Sequence, residues 1–276
     1  MAKGETYNEF VEKFKPKLTT DDCYTPKEIH DAVVKFVDRK VFKLNGHIAV
    51  RPFYPGGDFE NFDYPENCIV LDNPPFSILA RIVDFYLERG IKFWLYAPSL
   101  TLFNYISRQG VTAVVTNSKT IFENGANINI GFITNVWPKD EIFTTEPVLN
   151  RYLSFVQKKG RPSKKKPVIS FPDNVVSSAL LGKVVAQGVR FSCPRSEAVF
   201  IRKLDVGQGI FGGGVLMSER MAAERMAAER MAAERMAAER MAAERMAAER
   251  MAAERMAAKQ ICLSERERAI VDAMGT

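Results

Sequence analysis

The chain has 276 residues and a formal net charge of +6, which is room for one large domain with an appendage. Seven identical MAAER units from Met221 to Arg255 contribute equal numbers of Glu and Arg, so the excess positive charge belongs to the rest of the chain. A basic chain favours a polyanionic partner, because binding releases counterions condensed on phosphates.

The same composition argues against several classes of protein. The four scattered cysteines form no CxxC pair, and the two histidines form no HExxH or HxH motif. A disulfide framework, a metal site and a Ser-His-Asp triad are therefore not expected. Without an uninterrupted apolar run of ~20 residues, a membrane span is not expected either. The predicted location is the cytoplasm.

Helical and strand patterns alternate in the first third of the chain. The predicted elements are a helix at 25–37, strands at 47–50 and 68–72, a helix at 78–90 and a strand at 91–98. Thr25 is predicted as the N-cap of the first helix, with Pro26 at its first helical position. A strand, a helix and a second strand in this order indicate a parallel βαβ crossover, so the expected fold class is an α/β, Rossmann-like doubly wound sheet.

The rest of the chain divides into smaller regions. Further elements are predicted as strands at 111–116, 127–136, 189–193 and 198–203, and as a helix at 174–187. The glycine-rich residues 207–214 are predicted to be a flexible joint. The expected organisation is a core at 1–145, a small basic module at 146–215, a helical repeat arm at 216–260 and a short terminal helix at 261–276.

The sequence DNPPFS, from Asp72 to Ser77, follows the strand predicted at 68–72 and precedes a predicted helix. Open α/β sheets place ligand sites at such strand ends. An exocyclic amine is a poor nucleophile, because its lone pair is delocalised into the base ring. If the Asn73 side-chain oxygen and the Pro74 carbonyl each accept one amine hydrogen, the lone pair is freed to attack a methyl sulfonium. Phe76 would stack on the base. The alternative interpretation is a simple turn between strand and helix.

The order of motifs resembles the adenine-N6 DNA methyltransferases, and within them the EcoRI-type enzymes and their phage-borne relatives. The motifs, which span residues ~20–136, are DDCYTP, IAVRPFYPGGDFE, CIVLDNPPFSI, IKFWLYAPSLTLF and NINIGFITNV. The resemblance implies an abbreviated methyltransferase core that transfers a methyl group from S-adenosylmethionine to adenine in double-stranded DNA. It also implies a restriction-modification or phage context.

The resemblance assigns roles residue by residue. The implied catalytic residues are Asn73, Pro74, Pro75 and Phe76. The implied cofactor-binding residues are Tyr24, Thr25, Pro26, Pro52, Phe53, Gly56, Gly57, Asp58 and Asp72.

Two departures from the family pattern leave other functions open. Arg51 stands where the family carries an acidic residue before Pro-Phe. The interval between Gly57 and Asp72 is too short for the usual intervening elements, one of which supplies a carboxylate to the ribose. An inactive DNA-binding or regulatory relative is therefore a second interpretation, and methylation of RNA or of a glutamine side chain is a third.

A basic run at 158–166 is the expected DNA contact. Its cationic residues are Lys158, Lys159, Arg161, Lys164, Lys165 and Lys166. The Gly-Arg-Pro at its centre resembles an AT-hook, whose Arg lies in a narrow minor groove. The alternative is a solvated basic loop.

The MAAER array consists of strong helix formers, so a helix from about Ser218 toward Met256 is predicted. A five-residue period spreads the methionines around all faces of a helix, which argues against a coiled coil. The array is interpreted as an exposed spacer or assembly arm, with a partly disordered arm as the alternative. Ser264 and Glu267 predict a capping box for a terminal helix. Self-association through the arm or this helix is the expected homotypic contact.

Overall fold

The computed structural model describes residues 25–53, 58–122, 127–156, 171–205, 207–258 and 263–274. The α-helices of these residues are α1 (Lys27–Lys40), α2 (Leu79–Glu88), α3 (Pro147–Val156), α4 (Ser178–Ala186), α5 (Glu219–Ala258) and α6 (Glu265–Met274). The strands are β1 (Ile48–Val50), β2 (Cys68–Asp72), β3 (Lys92–Pro98), β4 (Thr112–Ile121), β5 (Asn127–Thr134), β6 (Glu141–Thr145), β7 (Val175–Ser177), β8 (Ser192–Pro194), β9 (Ala198–Lys203) and β10 (Gly209–Met217). Short 3-10 helices cover Phe76–Ile78, Ser99–Tyr105 and Arg195–Glu197.

Seven of these strands form a central sheet in the order β1-β2-β3-β5-β4-β6-β8. β1, β2, β3, β4 and β6 run in one direction, and β5 and β8 run in the other. This mixed α/β architecture with a mostly parallel sheet is compatible with a Rossmann-like fold. The predicted parallel crossover is confirmed for β2 and β3. The sheet is not parallel throughout, because the five residues between β4 and β5 are too few for a crossover and impose antiparallel pairing.

Helices cover both faces of this sheet. Ile29, Val33 and Phe36 of α1 pack in one apolar cluster with Trp94 of β3 and Leu149 of α3. The ring of Tyr86, in α2, lies 5.9 Å from that of Phe93. Phe93 and Trp94 are neighbours in a strand and therefore point to opposite faces. The core is a pair of apolar layers with the sheet between them.

A second sheet has the order β7-β10-β9 and is antiparallel. It corrects two predictions. The helix expected at 174–187 begins with strand β7, and the Ser177 hydroxyl then accepts a hydrogen bond from the Leu180 N–H and caps α4. The flexible joint expected at 207–214 is largely strand β10. Glycine has a low intrinsic preference for strands, but β10 is hydrogen-bonded to β7 on one side and to β9 on the other.

Two elements, β6 and α3, were not predicted from the sequence. β6 is fully buried, and the Glu141 carboxylate accepts hydrogen bonds there from the Trp137 indole N–H at 2.7 Å and the Ser192 hydroxyl at 2.8 Å. β8, from the region expected to be a separate module, pairs with β6 in the central sheet. Ser192 lies 51 residues from Glu141 in the sequence, and β8 comes from the same distant segment, so no local pattern predicts these contacts of β6.

Two compact units divide the chain, residues 1–229 and 230–276. In the second unit the repeat is helical to Ala258, and Met231, Met241, Met246 and Met251 are exposed. The Ser264 hydroxyl accepts from the Glu267 N–H, and the Glu267 carboxylate accepts from the Ser264 N–H, so the capping box of α6 is confirmed. In the part of the chain that the structure describes, no helix is long and apolar enough to cross a membrane.

Candidate active site

Three parallel strands end side by side at one edge of the central sheet. Val50 of β1 pairs with Val70 of β2, and Asp72 at the end of β2 pairs with Leu95 of β3. The segments that follow these strands therefore meet at the carboxyl edge, which is where open α/β sheets bind ligands. The predicted catalytic and cofactor segments that begin with Pro52 and Asn73 come together here.

Asp72 ties two of these strand ends together. Its side chain is completely buried and accepts hydrogen bonds from the Arg51 Nε at 3.1 Å and from the backbone N–H groups of Phe53 and Asn73, both at 2.9 Å. Burial raises the pKa of this carboxyl, and the Arg51 charge and the two N–H donors oppose that rise. With three protein donors on it, Asp72 acts as a positioning residue for the loops that follow β1 and β2.

Asn73 presents an unsatisfied acceptor at this edge. Its side chain is 1% exposed, and its Oδ1 atom is buried with no hydrogen-bond partner. Most buried polar atoms in proteins are paired, and an unpaired one costs on the order of 1–3 kcal/mol. The Oδ1 atom of Asn73 is therefore an acceptor whose hydrogen-bonding capacity is not used within the protein.

The residues after Asn73 form a stiff turn. Pro74 is buried, and Pro75 has φ −57° and ψ 120°, an extended conformation that leads into the 3-10 helix beginning at Phe76. Phe76 is half-buried, and its ring meets that of Phe122 edge-on, with centroids 6.4 Å apart. The proline pair fixes the direction of the Pro74 carbonyl, and Phe122 fixes the ring of Phe76.

Other buried polar groups without a partner belong to residues near this edge. They are the Thr25 hydroxyl, His30 Nδ1, the Tyr96 hydroxyl and the Ser99 hydroxyl. Burial, with the nearby Arg51 charge, lowers the pKa of His30 to about 4, so this imidazole is neutral at pH 7. Burial also raises the pKa of Tyr96, whose hydroxyl interacts electrostatically with the charges of Arg51 and Asp72.

Three of these residues, His30, Tyr96 and Ser99, were not predicted from the sequence to belong to the site. The only local signal is that Tyr96 and Ser99 stand at the end of a predicted strand. The prediction that Thr25 caps α1 is wrong, since Pro26 is the N-cap residue and no side chain caps the helix. The Pro26 carbonyl accepts from the Ile29 and His30 N–H groups, which leaves the Thr25 hydroxyl for another role.

Among the residues predicted to bind S-adenosylmethionine, Thr25 has a buried hydroxyl without a partner, which would serve the polar amino-acid end of that molecule. Asp58 suits the ribose less well, because its carboxylate accepts from the Glu60 N–H at 3.0 Å and the Asn61 amide at 2.7 Å in its own turn. Tyr24, Gly56 and Gly57 lie outside the described residues. The six cationic residues predicted to bind DNA, at 158–166, also lie outside them.

The described residues contain no group of three acidic, histidine or cysteine side chains that could hold a metal ion.

The Arg51–Asp72 pair yields a stability prediction. We expect Arg51→Met to lower the free energy of unfolding by ~3 kcal/mol at pH 8, because removing one partner leaves a buried carboxylate with less compensation. The loss should shrink on acidification, because Asp72, with its pKa raised further, is protonated more easily in the folded state. Urea denaturation at pH 5 and pH 8 measures this. If Arg51→Met lowered the free energy of unfolding equally at both pH values, the loss would not come from the charge of Asp72.

A second buried carboxylate, Glu146, follows β6 and pairs with Arg190. Burial raises the pKa of Glu146 to about 7, against the opposing charge of Arg190. An acid whose folded pKa is raised loses stability as pH rises from the unfolded value of 4.5 to about 7. Between pH 5 and pH 8 we expect the free energy of unfolding to change by roughly 2 kcal/mol less in Glu146→Gln than in the wild type. Urea midpoints at pH 5 and pH 8 test it, with exposed Glu249→Gln as the control that keeps the wild-type slope.

Together the fold and this edge define a mixed α/β protein with a candidate site at the carboxyl ends of β1, β2 and β3. Comparison with protein-family models, with curated proteins and with solved structures finds no match to the chain. The function is therefore argued from the site itself.

Proposed function

We propose that the protein transfers a methyl group from S-adenosylmethionine to the exocyclic amine of adenine in double-stranded DNA. The observation that carries this proposal is the buried, unpartnered Oδ1 atom of Asn73 at the end of β2. The motif resemblance supplies the reaction, and the unsatisfied acceptor is the feature that this reaction requires.

Each residue of the proposed site has a separate role in methyl transfer. Asn73 Oδ1 accepts one hydrogen of the amine, and the Pro74 carbonyl accepts the other, so the nitrogen lone pair is drawn out of conjugation with the ring. No strong base is needed, since the amine loses its proton to solvent after it has gained the methyl group. The exposed part of the Phe76 ring stacks on the adenine. When bound, S-adenosylmethionine supplies the electrophilic methyl group, and the edge beside Thr25 would hold its amino-acid end.

The finer architecture belongs to the same proposal. Residues 1–145 contain the proposed cofactor-binding and amine-binding residues, and the region at 146–215, which also contributes β8 to the central sheet, contacts DNA. If all six cations at 158–166 bind phosphates, the logarithm of the binding constant falls with the logarithm of salt concentration with a slope of roughly −5. The MAAER helix is a spacer or assembly arm, and the protein acts in the cytoplasm in a restriction-modification or phage setting.

A second candidate is a DNA-binding relative that no longer catalyses methylation. The observation that favours it is the engagement of both nearby carboxylates, Asp72 by Arg51 and two N–H groups and Asp58 by its own turn. Neither is then poised to accept the ribose hydroxyls, which would weaken cofactor binding.

The test is transfer of radiolabelled methyl from S-adenosylmethionine to unmethylated DNA of mixed sequence, with nucleoside analysis of the product. Parallel reactions use RNA and a glutamine-containing protein. Label in methyladenine supports the proposal. Label in RNA or protein alone would replace DNA by that substrate. DNA binding with neither cofactor binding nor transfer would establish the second candidate.

A further inference from the structure

Strand β10 carries a large bulge opposite β9. Gly209 pairs with Lys203 and Gly214 pairs with Ile201, so four residues of β10, 210–213, lie opposite a single residue of β9. Within the bulge Gly212 has φ 75° and Gly213 has φ 81°, values that glycine adopts without strain. Bulges of this kind redirect side chains and are frequent beside functional sites.

The bulge presents an aromatic ring to solvent. Phe211 is 78% exposed, whereas its neighbour Ile210 is 6% exposed and belongs to the core. The geometry therefore buries one apolar side chain of the bulge and holds the next one outward.

The same bulge contacts the segment that follows β3 at the carboxyl edge of the central sheet. A Cβ atom on Gly212 would lie 1.5 Å from the Leu100 carbonyl oxygen, so the two backbones are in direct contact. Leu100 is 49% exposed and follows Ser99, immediately after β3. Phe211 and Leu100 are both exposed, and the backbone contact holds the bulge against the segment that follows β3 at the carboxyl edge.

Cations accompany the exposed ring. Arg202 and Lys203 of β9 are exposed at the bulge, and the Arg202 guanidinium lies 6.0 Å from the centroid of the Phe200 ring. Asp205, in the turn between β9 and β10, offsets part of this charge. An exposed ring and exposed cations on one bulge suit nucleic acid, because bases stack on the ring while phosphates pair with the cations.

We propose that Phe211 stacks on the bases of DNA beside the adenine that enters the site. This rests on the proposed function. An enzyme that modifies a base must take it out of the duplex, and apolar side chains enter the space between base steps in bent or opened DNA. Phe211 suits that role because it points outward from a bulge whose backbone contacts the segment that follows β3.

Fluorescence provides a direct test that needs no knowledge of the target sequence. Phe211→Trp is compared with Phe155→Trp, whose position on α3 is 82% exposed, each corrected for the wild-type signal from Trp94 and Trp137. A 30-base-pair duplex of mixed sequence is the probe. Stacking quenches the indole, so we expect quenching for Phe211→Trp and little for Phe155→Trp. Absence of quenching while DNA is bound would overturn the proposal.

Binding measurements separate stacking from charge. We expect Phe211→Ala to weaken duplex binding about 10-fold or more and to leave binding of heparin, a polyanion without bases, unchanged. Phe155→Ala should change neither. Equal losses for DNA and heparin, or wild-type DNA affinity in Phe211→Ala, would contradict stacking. Quenching without methyl transfer would support stacking by Phe211 and reject the methyltransferase function. Methyl transfer without quenching would support the methyltransferase function and reject stacking by Phe211.

Discussion

Asn73→Ala is expected to abolish methyl transfer while leaving the protein folded. Removing one preorganised polar contact to the reacting group costs about 100-fold to 1000-fold in rate, so the labelled product should fall at least about 100-fold. The free energy of unfolding should change by less than about 1 kcal/mol, because the Oδ1 atom forms no hydrogen bond within the protein. Methyl transfer to DNA and urea denaturation of the same preparations measure the two effects.

The matched control is Asn104→Ala. Asn104 is exposed in the 3-10 helix that follows β3, and the same truncation there should leave both rate and stability at wild-type values. A loss of stability of ~3 kcal/mol in Asn73→Ala would show that Asn73 holds the turn together. Full activity in Asn73→Ala would reject the amine-acceptor mechanism.

Gly212→Ala is expected to produce the largest loss of stability, about 4 kcal/mol or more. The added methyl group would overlap the Leu100 carbonyl oxygen at 1.5 Å and the Leu100 carbonyl carbon at 2.7 Å. Both atoms belong to the backbone of the segment that extends β3, so neither can move without disturbing the central sheet. The positive φ of 75° adds strain for any residue with a Cβ.

Gly207→Ala separates these two causes. Gly207 has φ 83° and nothing within 4 Å of an added Cβ, so it should lose only ~1–2 kcal/mol from backbone strain. Urea denaturation of both variants provides the comparison. If the two alanine variants were equally stable, the contact between the bulge and the segment after β3 would not contribute to stability, and the placement of Phe211 beside the site would lose its basis.

Several parts of the fold could be read from sequence because their signals are local. β2, the turn at Asn73 and Pro74, and α2 follow one another within about twenty residues, and each has its own pattern. The apolar run predicts the strand, the prolines end it, and the helical spacing of Leu79, Ile82 and Val83 predicts the helix. The capping box at Ser264 was predictable for the same reason.

Pairing partners were not predictable in this way. A glycine-rich segment becomes strand β10 only because β7 and β9 supply hydrogen bonds on both sides. Likewise β5 enters the sheet between β3 and β4, which no periodicity in residues 127–134 announces. Tertiary contacts override local preference at these positions, because a strand is completed by partners that are distant in sequence.

The candidate site shows the same division. The position of Asn73, Pro74 and Phe76 between a buried strand and a helix could be predicted, since that order is a property of neighbouring residues. Folding is what joins Asp72 to Arg51 and Phe53 and leaves Asn73 with an unpaired oxygen. Folding also brings Gly212, more than a hundred residues away, against the segment that follows β3. Burial and hydrogen-bond satisfaction depend on every segment that packs around an atom, so they become defined only when the chain is folded.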